Sequence, residues 1–114
     1  MTPTPPGNEA AMQKEIFARG PIACCMACPA AFERGYVSGV YVTPNNRTAC
    51  DHLVTVLGYG GAGAAAHWTV QNSFGTVWGE AGYFRIKRGS ALQPGEHNLG
   101  IELACSWVMP QMRS

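Results

Sequence analysis

A histidine and an asparagine that flank two predicted strands are the residues best suited to chemistry in this chain. His52 precedes the apolar run 53–57, and Asn72 follows the segment 67–71. An imidazole can accept and return a proton near neutral pH, and a carboxamide oxygen can hold such a ring in one orientation through a hydrogen bond. By itself, however, a histidine that opens an apolar strand is more often structural or solvated than catalytic, and an asparagine at a strand end often only makes a turn. What these two residues do therefore depends on their context.

The elements around this pair predict that it meets on one face of a β-hairpin. Two strand-forming segments flank the glycine-rich loop 60–63. If the hairpin is centred near residue 63, residue 54 faces residue 72. His52 then lies diagonally across from Asn72, with backbones about 7–8 Å apart and side chains within reach of each other. A bulge in the glycine loop would shift this register.

Five cysteines could act as nucleophiles, metal ligands or disulfide partners. Cys-x-x-Cys is a zinc spacing, and Cys50 and His52 could add ligands to it. We disfavour zinc because no second Cys-x-x-Cys or His-x-x-x-His pair completes four ligands, and because successive residues of a strand alternate between faces. None of the five precedes a long helical pattern that would lower a thiol pKa, so none is predicted to be a nucleophile. Their odd number leaves at least one without an intramolecular partner; they are Cys24, Cys25, Cys28, Cys50 and Cys105.

One leading helix and several strands complete the predicted architecture, within a single domain over residues 8–110. A lead or linker over residues 1–7, rich in proline and threonine, is predicted to be disordered, and residues 111–114 form a tail. The predicted elements are a helix over 8–19, a buried strand over 22–27, a helical turn near 30–35, strands at 40–42 and 83–87, a polar loop over 89–97 and an extended segment over 100–108.

The composition limits the partners that this chain can have. At 114 residues, 46% hydrophobic, it can bury one core. Only 13% of the residues are charged and the net charge is +1, so no nucleic-acid partner is predicted. The apolar runs are broken well before the roughly 20 residues that a membrane span needs. We expect neither a cofactor nor a metal.

A long ordered pattern gives the chain a family resemblance. Residues 72–80 read Asn-Ser-Phe-Gly-Thr-Val-Trp-Gly-Glu, residues 82–86 read Gly-Tyr-Phe-Arg-Ile, and Asp-His at 51–52 precedes an apolar strand. This pattern resembles the second half of a papain-family cysteine peptidase. The resemblance implies an α+β, papain-like fold, of which this chain is the β-rich right-hand domain: antiparallel strands or a barrel with a leading helix, without the helical left-hand domain. The segments 15–24 and 98–105 are similar to the cathepsin X (also called Z) group.

The resemblance assigns roles to the residues of the pattern. It makes His52 the general base and acid and Asn72 the residue that orients it. Asp51 and Phe74 would line the substrate cleft, where phenylalanine stands in place of the family's tryptophan and covers less of the His–Asn bond. Trp78 would floor the leaving-group side of the cleft, with core packing as an equally good interpretation.

Other residues receive structural or bystander roles. The resemblance makes Cys24 and Cys105 the expected disulfide pair. His67, on the solvent-facing side of its strand, and His97, in a polar loop, are predicted to be bystanders.

The implied activity is hydrolysis of a peptide bond in a peptide or protein substrate. The family's nucleophile lies in a Cys-Gly-Ser/Ala-Cys-Trp/Tyr segment, and neither that segment nor the oxyanion-hole glutamine is found among these residues. We therefore predict no peptidase activity of this chain alone, and a partner domain or subunit that covers its interdomain wall. The alternative is a non-catalytic relic that acts as a structural or interaction subunit. The family implies a lysosomal or extracellular location, although residues 1–7 lack the features of a signal peptide.

Overall fold

The structure is a computed structural model that describes residues 2–3 and 9–107, with two helices beside one sheet. The helices are α1 (Glu9–Arg19) and α2 (Ala30–Gly35), and two single 3₁₀ turns lie at Gly63–Ala65 and Gly89–Ala91. The strands are β1 (Thr2–Pro3), β2 (Ile22–Met26), β3 (Val40–Tyr41), β4 (His52–Gly60), β5 (His67–Gln71), β6 (Tyr83–Lys87) and β7 (Cys105–Trp107).

The seven strands form one open, mixed sheet in the order β1-β7-β2-β4-β5-β6-β3. Five of its six pairings are antiparallel, while β3 runs parallel to β6. The structure therefore has the predicted α+β, β-rich architecture but not the barrel that we had allowed for. Each edge strand is only two residues long, too short to pair with the opposite edge and close the sheet.

The predicted helix, the hairpin strands and β6 lie where the sequence indicated, whereas the last extended segment is shorter than predicted. Residues 100–104 are turns, and among the described residues of this segment Cys105–Trp107 alone is strand. Gly100 has a φ of 73°, a conformation that glycine adopts without strain. The Ile101 amide donates to the Asn98 carbonyl over 3.2 Å. This compact turn takes the place of the predicted extension.

Two residues near the start of the chain also depart from the prediction. Thr2–Pro3 pairs with β7 at the edge of the sheet, although the sequence predicted a disordered lead. The other residues of the lead, 1 and 4–7, lie outside the described residues, as does the predicted tail over residues 111–114. Within the predicted polar loop 89–97, Gly89–Ala91 forms a 3₁₀ turn.

The core lies on the sheet face that the two helices cover. Met12 and Ile16 of α1 are buried there, as is Phe32 of α2. The sheet contributes its alternate residues, which pack into one cluster; among them are Val54, Val56, Trp68, Val70, Phe84 and Ile86. In the part of the chain that the structure describes, no helix has both the length and the hydropathy to cross a bilayer.

Candidate active site

The structure joins His52 and Asn72 by a hydrogen bond. The His52 Nε2 and Asn72 Oδ1 atoms lie 2.7 Å apart. His52 opens β4 and Asn72 directly follows β5, so the ends of two paired strands position the two side chains. This confirms that they meet, as the hairpin geometry predicted.

A bulge at Leu57 makes this meeting possible. Near the loop, Gly60 pairs with His67 and Gly58 with Thr69, but beyond the bulge Val56 pairs with Val70. The strand pairing beyond the bulge is thus shifted by one residue from the pairing near the loop, and at the site it matches the predicted register. The bulge itself lies in β4 rather than in the glycine loop. Because the side chains of a strand alternate between faces, it places His52 and Asn72 on the same face.

The hydrogen bonds of Asn72 define the proton positions of the pair. Asn72 Oδ1 also accepts the backbone N–H of Ser73 over 2.8 Å. A backbone N–H can only donate, so the atom that faces it is the carboxamide oxygen and not the nitrogen. His52 Nε2 must then carry a proton and donate to that oxygen. Nδ1 of the neutral ring keeps its lone pair, and among the described residues it has no hydrogen-bond partner. The pair presents one free basic nitrogen.

Phe74 and Trp78 lie next to this pair. The Phe74 ring stacks on the His52 imidazole, with centroids 5.0 Å apart and planes 27° from parallel. Trp78 meets Phe74 edge to face at 5.3 Å and stacks on Tyr36 at the same distance. Its Nε1–H donates to the Glu33 carbonyl over 2.7 Å. Phe74 is therefore the aromatic cover of the histidine, and half-buried Trp78 connects that cover to the core.

Glu80 is a residue whose importance the sequence analysis missed. Its carboxylate accepts two hydrogen bonds from Arg85, over 3.0 and 2.8 Å, and a third from the Gly39 amide. The Arg85 hydrogen bonds, together with the Gly39 amide, lower the pKa of Glu80 to about 2. Glu80 thus ties the loop after Asn72 to β6 and to the turn before β3. In the sequence, the signal that could have indicated this ion pair was an acidic residue, Glu80, five positions before a basic one, Arg85.

Asp51 is used to fix the chain just before His52. Its Oδ1 accepts the Cys28 amide over 2.8 Å, and its Oδ2 forms an ion pair with Arg47 at 3.0 Å. Both carboxylate oxygens therefore have partners within the chain. The predicted place of Asp51 in a substrate cleft stays a prediction.

The cysteines form two disulfides and leave one thiol. Cys24 is bonded to Cys105, and Cys25 to Cys50, so these four sulfurs are not available as thiolate ligands. Burial, and after it the negative charges of Glu33 and Asp51, raise the pKa of the Cys28 thiol. A thiol with a raised pKa is a poor nucleophile. Among the described residues no group of three or more His, Cys, Asp or Glu side chains is arranged to hold a metal ion.

The other two histidines lie apart from the site. His67 Nδ1 lies 3.0 Å from the Ala65 carbonyl at the far end of the hairpin. The His97 backbone pairs with Thr43. The structure brings neither of them to Asn72.

A shallow pocket of about 380 Å³ adjoins Asn72 on the sheet face away from the helices, lined by Ala23, Leu53, Val54, Thr55, Gln71, Asn72 and Ser73. Leu53 is 72% exposed there. We call the face formed by Ala23, Leu53, Thr55 and Gln71 the outer face. Because successive side chains of a strand emerge on opposite faces, Leu53 lies on the other side of the sheet from His52, and its exposure leaves apolar area in contact with water.

Comparisons with known proteins agree on one family. The family described as papain family cysteine protease matches residues 1–108. A cathepsin Z from Onchocerca volvulus is 38% identical over 102 residues, which are 87% of this chain and 33% of that protein. A viral cathepsin from Adoxophyes honmai nucleopolyhedrovirus is 43% identical over 81 residues, which cover 71% of this chain and 23% of that protein.

A solved structure extends the likeness to the fold. The structure of digestive procathepsin L 3 from the larval midgut of Tenebrio molitor superposes with a TM-score of 0.77 at 29% identity. The match covers 90% of this chain and 32% of that one. The chain therefore spans about a third or less of the relatives named here.

Proposed function

This chain belongs to the papain family of cysteine proteases, and we propose that it supplies the histidine and asparagine of a cysteine-type peptidase active site. In this role His52 takes a proton from a cysteine thiol as general base and returns it to the leaving amine as general acid. Asn72 keeps the imidazole in the required orientation. The substrate is a peptide bond, and a lysosomal or extracellular location accords with the family.

The hydrogen bond between His52 Nε2 and Asn72 Oδ1 is the observation that carries this proposal. It holds the ring through one nitrogen and leaves Nδ1, with its lone pair, open to a donor. A nucleophile–base–orienter arrangement needs the base to face the nucleophile with one nitrogen and the orienter with the other. The pair supplies the base and the orienter of such an arrangement.

The nucleophile of this proposal is a cysteine on polypeptide outside these 114 residues. The Cys28 pKa is raised rather than lowered, and the four other cysteines are in disulfides. A cysteine in a second domain or subunit could approach His52 from the end of the sheet, where His52 is the first residue of β4.

Labelling of the native protein tests this proposal. An epoxide probe that captures activated cysteines should label a longer chain or a tightly bound partner. His52→Ala should lower kcat/KM on the order of a thousandfold, and Asn72→Ala should cause a smaller loss. His67→Ala is the matched control, because His67 lies in the same sheet but far along the hairpin, and it should leave turnover unchanged. Peptide hydrolysis by these 114 residues alone, abolished by His52→Ala, would show that the nucleophile lies within them.

A second candidate is a non-catalytic papain-fold subunit, favoured by the lack of an activated thiol in the described residues. In this case the outer face binds a partner that contributes no nucleophile. The two candidates differ in one measurement. Isolation of the native chain in a stoichiometric assembly that neither labels with the epoxide nor hydrolyses peptides would favour the second.

A further inference from the structure

The segment that leads into His52 has no regular secondary structure of its own. Residues 44–51 contain neither helix nor strand, and His52 is the first residue of β4. In the ladder between β2 and β4, the pair Met26–His52 is the terminal one. Strand ends and the loops that continue them open most readily. The position of the imidazole therefore depends on how this loop is fastened.

Three contacts fasten the end of the loop to β2 or to the residues just after it. The Asp51 amide donates to the Met26 carbonyl over 3.1 Å, and Asp51 Oδ1 accepts the Cys28 amide over 2.8 Å. The third contact is covalent, because Cys50 is bonded to Cys25. It lies two residues from His52 along the chain.

The two disulfides differ in exposure. Cys24 and Cys105 are 0% and 1% exposed. Cys25 is 6% exposed, but its partner Cys50 lies at the surface. Thiol–disulfide exchange requires that a thiolate reach a sulfur atom, so an external thiol has access to the second bond and not to the first.

We propose that the Cys25–Cys50 disulfide is a reducible clasp that positions His52 against Asn72. Cys25 and Cys50 are positioning residues, since they act on the imidazole through the backbone of Asp51 and His52. The role in catalysis rests on the function proposed above, whereas the effect on the histidine ring does not. Opening of the clasp should leave the fold in place and loosen the His52–Asn72 hydrogen bond.

A dithiol reductant would open the clasp in two balanced steps. Its thiolate attacks Cys50 Sγ, the bond to Cys25 breaks, and Cys25 leaves as a thiolate that takes up a proton. The second thiol of the reductant then attacks the mixed disulfide and releases Cys50 as a thiol. The cysteine pair gains two electrons and two protons, and the dithiol becomes a cyclic disulfide. Cys28, with its raised pKa, is a poor competitor for either step.

Nuclear magnetic resonance of the histidine rings tests the clasp, because the chain has only three histidines. In the oxidised protein His52 should give a protected Nε2–H signal. After mild treatment with dithiothreitol, with alkylation and mass spectrometry confirming that Cys25 and Cys50 alone have opened, that proton should exchange at least tenfold faster. His67 and His97 should be unchanged. An unchanged His52 signal would overturn the proposal.

Two variants keep the test decisive. Cys50→Ser should reproduce the reduced state without any reductant, so the cysteine nucleophile of the assembled peptidase is not exposed to one. Turnover by this variant can then be compared with turnover by the wild type. Its kcat should fall while its KM stays within about twofold. A paired Cys25→Ala, Cys50→Ala variant leaves no thiol at either position and should behave in the same way. If all three histidine signals change together in both variants, the disulfide supports the fold as a whole and the clasp is wrong. Absence of a protected Nε2–H in the oxidised protein would instead count against the proposed His52–Asn72 pair.

Discussion

At the scale of single residues, the orientation of one carboxamide decides what the site can do. The Ser73 amide fixes the oxygen of Asn72, and that oxygen fixes the proton of His52 on Nε2. Asn72 is only 9% exposed, so water does not compete freely for its oxygen. The Phe74 ring covers one face of the His52 imidazole. The free nitrogen of His52 thus results from a chain of two hydrogen bonds and one ring contact.

Removal of the Phe74 ring should expose this chain of contacts to water. An aromatic ring pair contributes about 1 kcal/mol, so in Phe74→Ala the His52 Nε2 proton should exchange with solvent roughly fivefold faster. Phe74→Trp, with its larger ring, should slow the exchange. Val77→Ala is the matched control, because Val77 lies in the same loop and is almost fully exposed. Equal exchange rates in the two alanine variants would show that Phe74 does not shield the pair.

At the scale of elements, the loop over residues 72–82 is held by its own backbone and by Glu80. The Asn72 amide donates to the Gly82 carbonyl, and the Gly82 amide donates to the Trp78 carbonyl. Gly79 has a φ of 59°, and a Cβ atom there would lie 2.7 Å from the Tyr83 carbonyl oxygen. Only glycine fits at that position. Ala81, with a φ of 56°, occupies the same unfavourable region without a comparable reason.

Ala81→Gly should therefore stabilise the protein. Relief of the left-handed conformation of a residue with a Cβ atom contributes about 1 kcal/mol, which urea unfolding can measure. Ala62→Gly is the control, since Ala62 is also exposed but has a φ of −143°. That variant should be neutral or slightly destabilised, because glycine gains freedom in the unfolded chain. A free energy of unfolding that does not rise for Ala81→Gly relative to the control would mean that residue 81 is not strained.

Elements with local sequence signals could be predicted, and those that depend on distant contacts could not. The segments 67–71 and 83–87 were predicted with the bounds that the structure gives, because alternation and β-branched residues mark them. The turns at 100–104 were not predicted. There Glu102 turns inward to accept the Trp68 Nε1–H over 2.8 Å, a contact between residues far apart in the chain. The His52–Asn72 pair was predicted from hairpin register, a local property, but the strands reach that register at the site only through the bulge in β4, which was not predicted.

At the scale of the whole molecule, two carboxylates give stability opposite dependences on pH. Glu80 has its pKa lowered to about 2 from an ordinary 4.5 by Arg85, so its contribution is present above about 4.5 and is lost as the pH falls toward 2. Burial raises the pKa of Glu102. The native form of Glu102 therefore binds a proton more readily than the unfolded form, and its contribution is lost as the pH rises through its native pKa.

Unfolding by urea at a series of pH values should separate the two carboxylates. We expect Glu102→Gln, which keeps an oxygen to accept the Trp68 N–H, to remove a gain in stability on acidification from neutral pH. Glu80→Gln should remove the loss at pH values below about 4.5 and lower stability at neutral pH. If the wild type and Glu102→Gln show the same change in stability between neutral and mildly acidic pH, the burial of the Glu102 charge has no effect on folding.

The bulge at Leu57 also determines where this protein tolerates changes in length. Each residue added to or removed from a strand reverses the side on which all following side chains emerge. Deletion of Leu57, which the bulge leaves unpaired, would keep His52 in phase with Asn72, because Val56 would still pair with Val70 in a regular ladder. A residue inserted between 53 and 56 would instead put His52 out of phase with Asn72 and aim it away from its partner. An insertion between residues 61 and 66, in the loop between β4 and β5, would leave the His52 and Asn72 side chains on the same face. Length variation in natural or engineered versions of this hairpin should accordingly be confined to its tip and to the bulge, and insertion of a single residue into β4 between 53 and 56 is incompatible with a working pair.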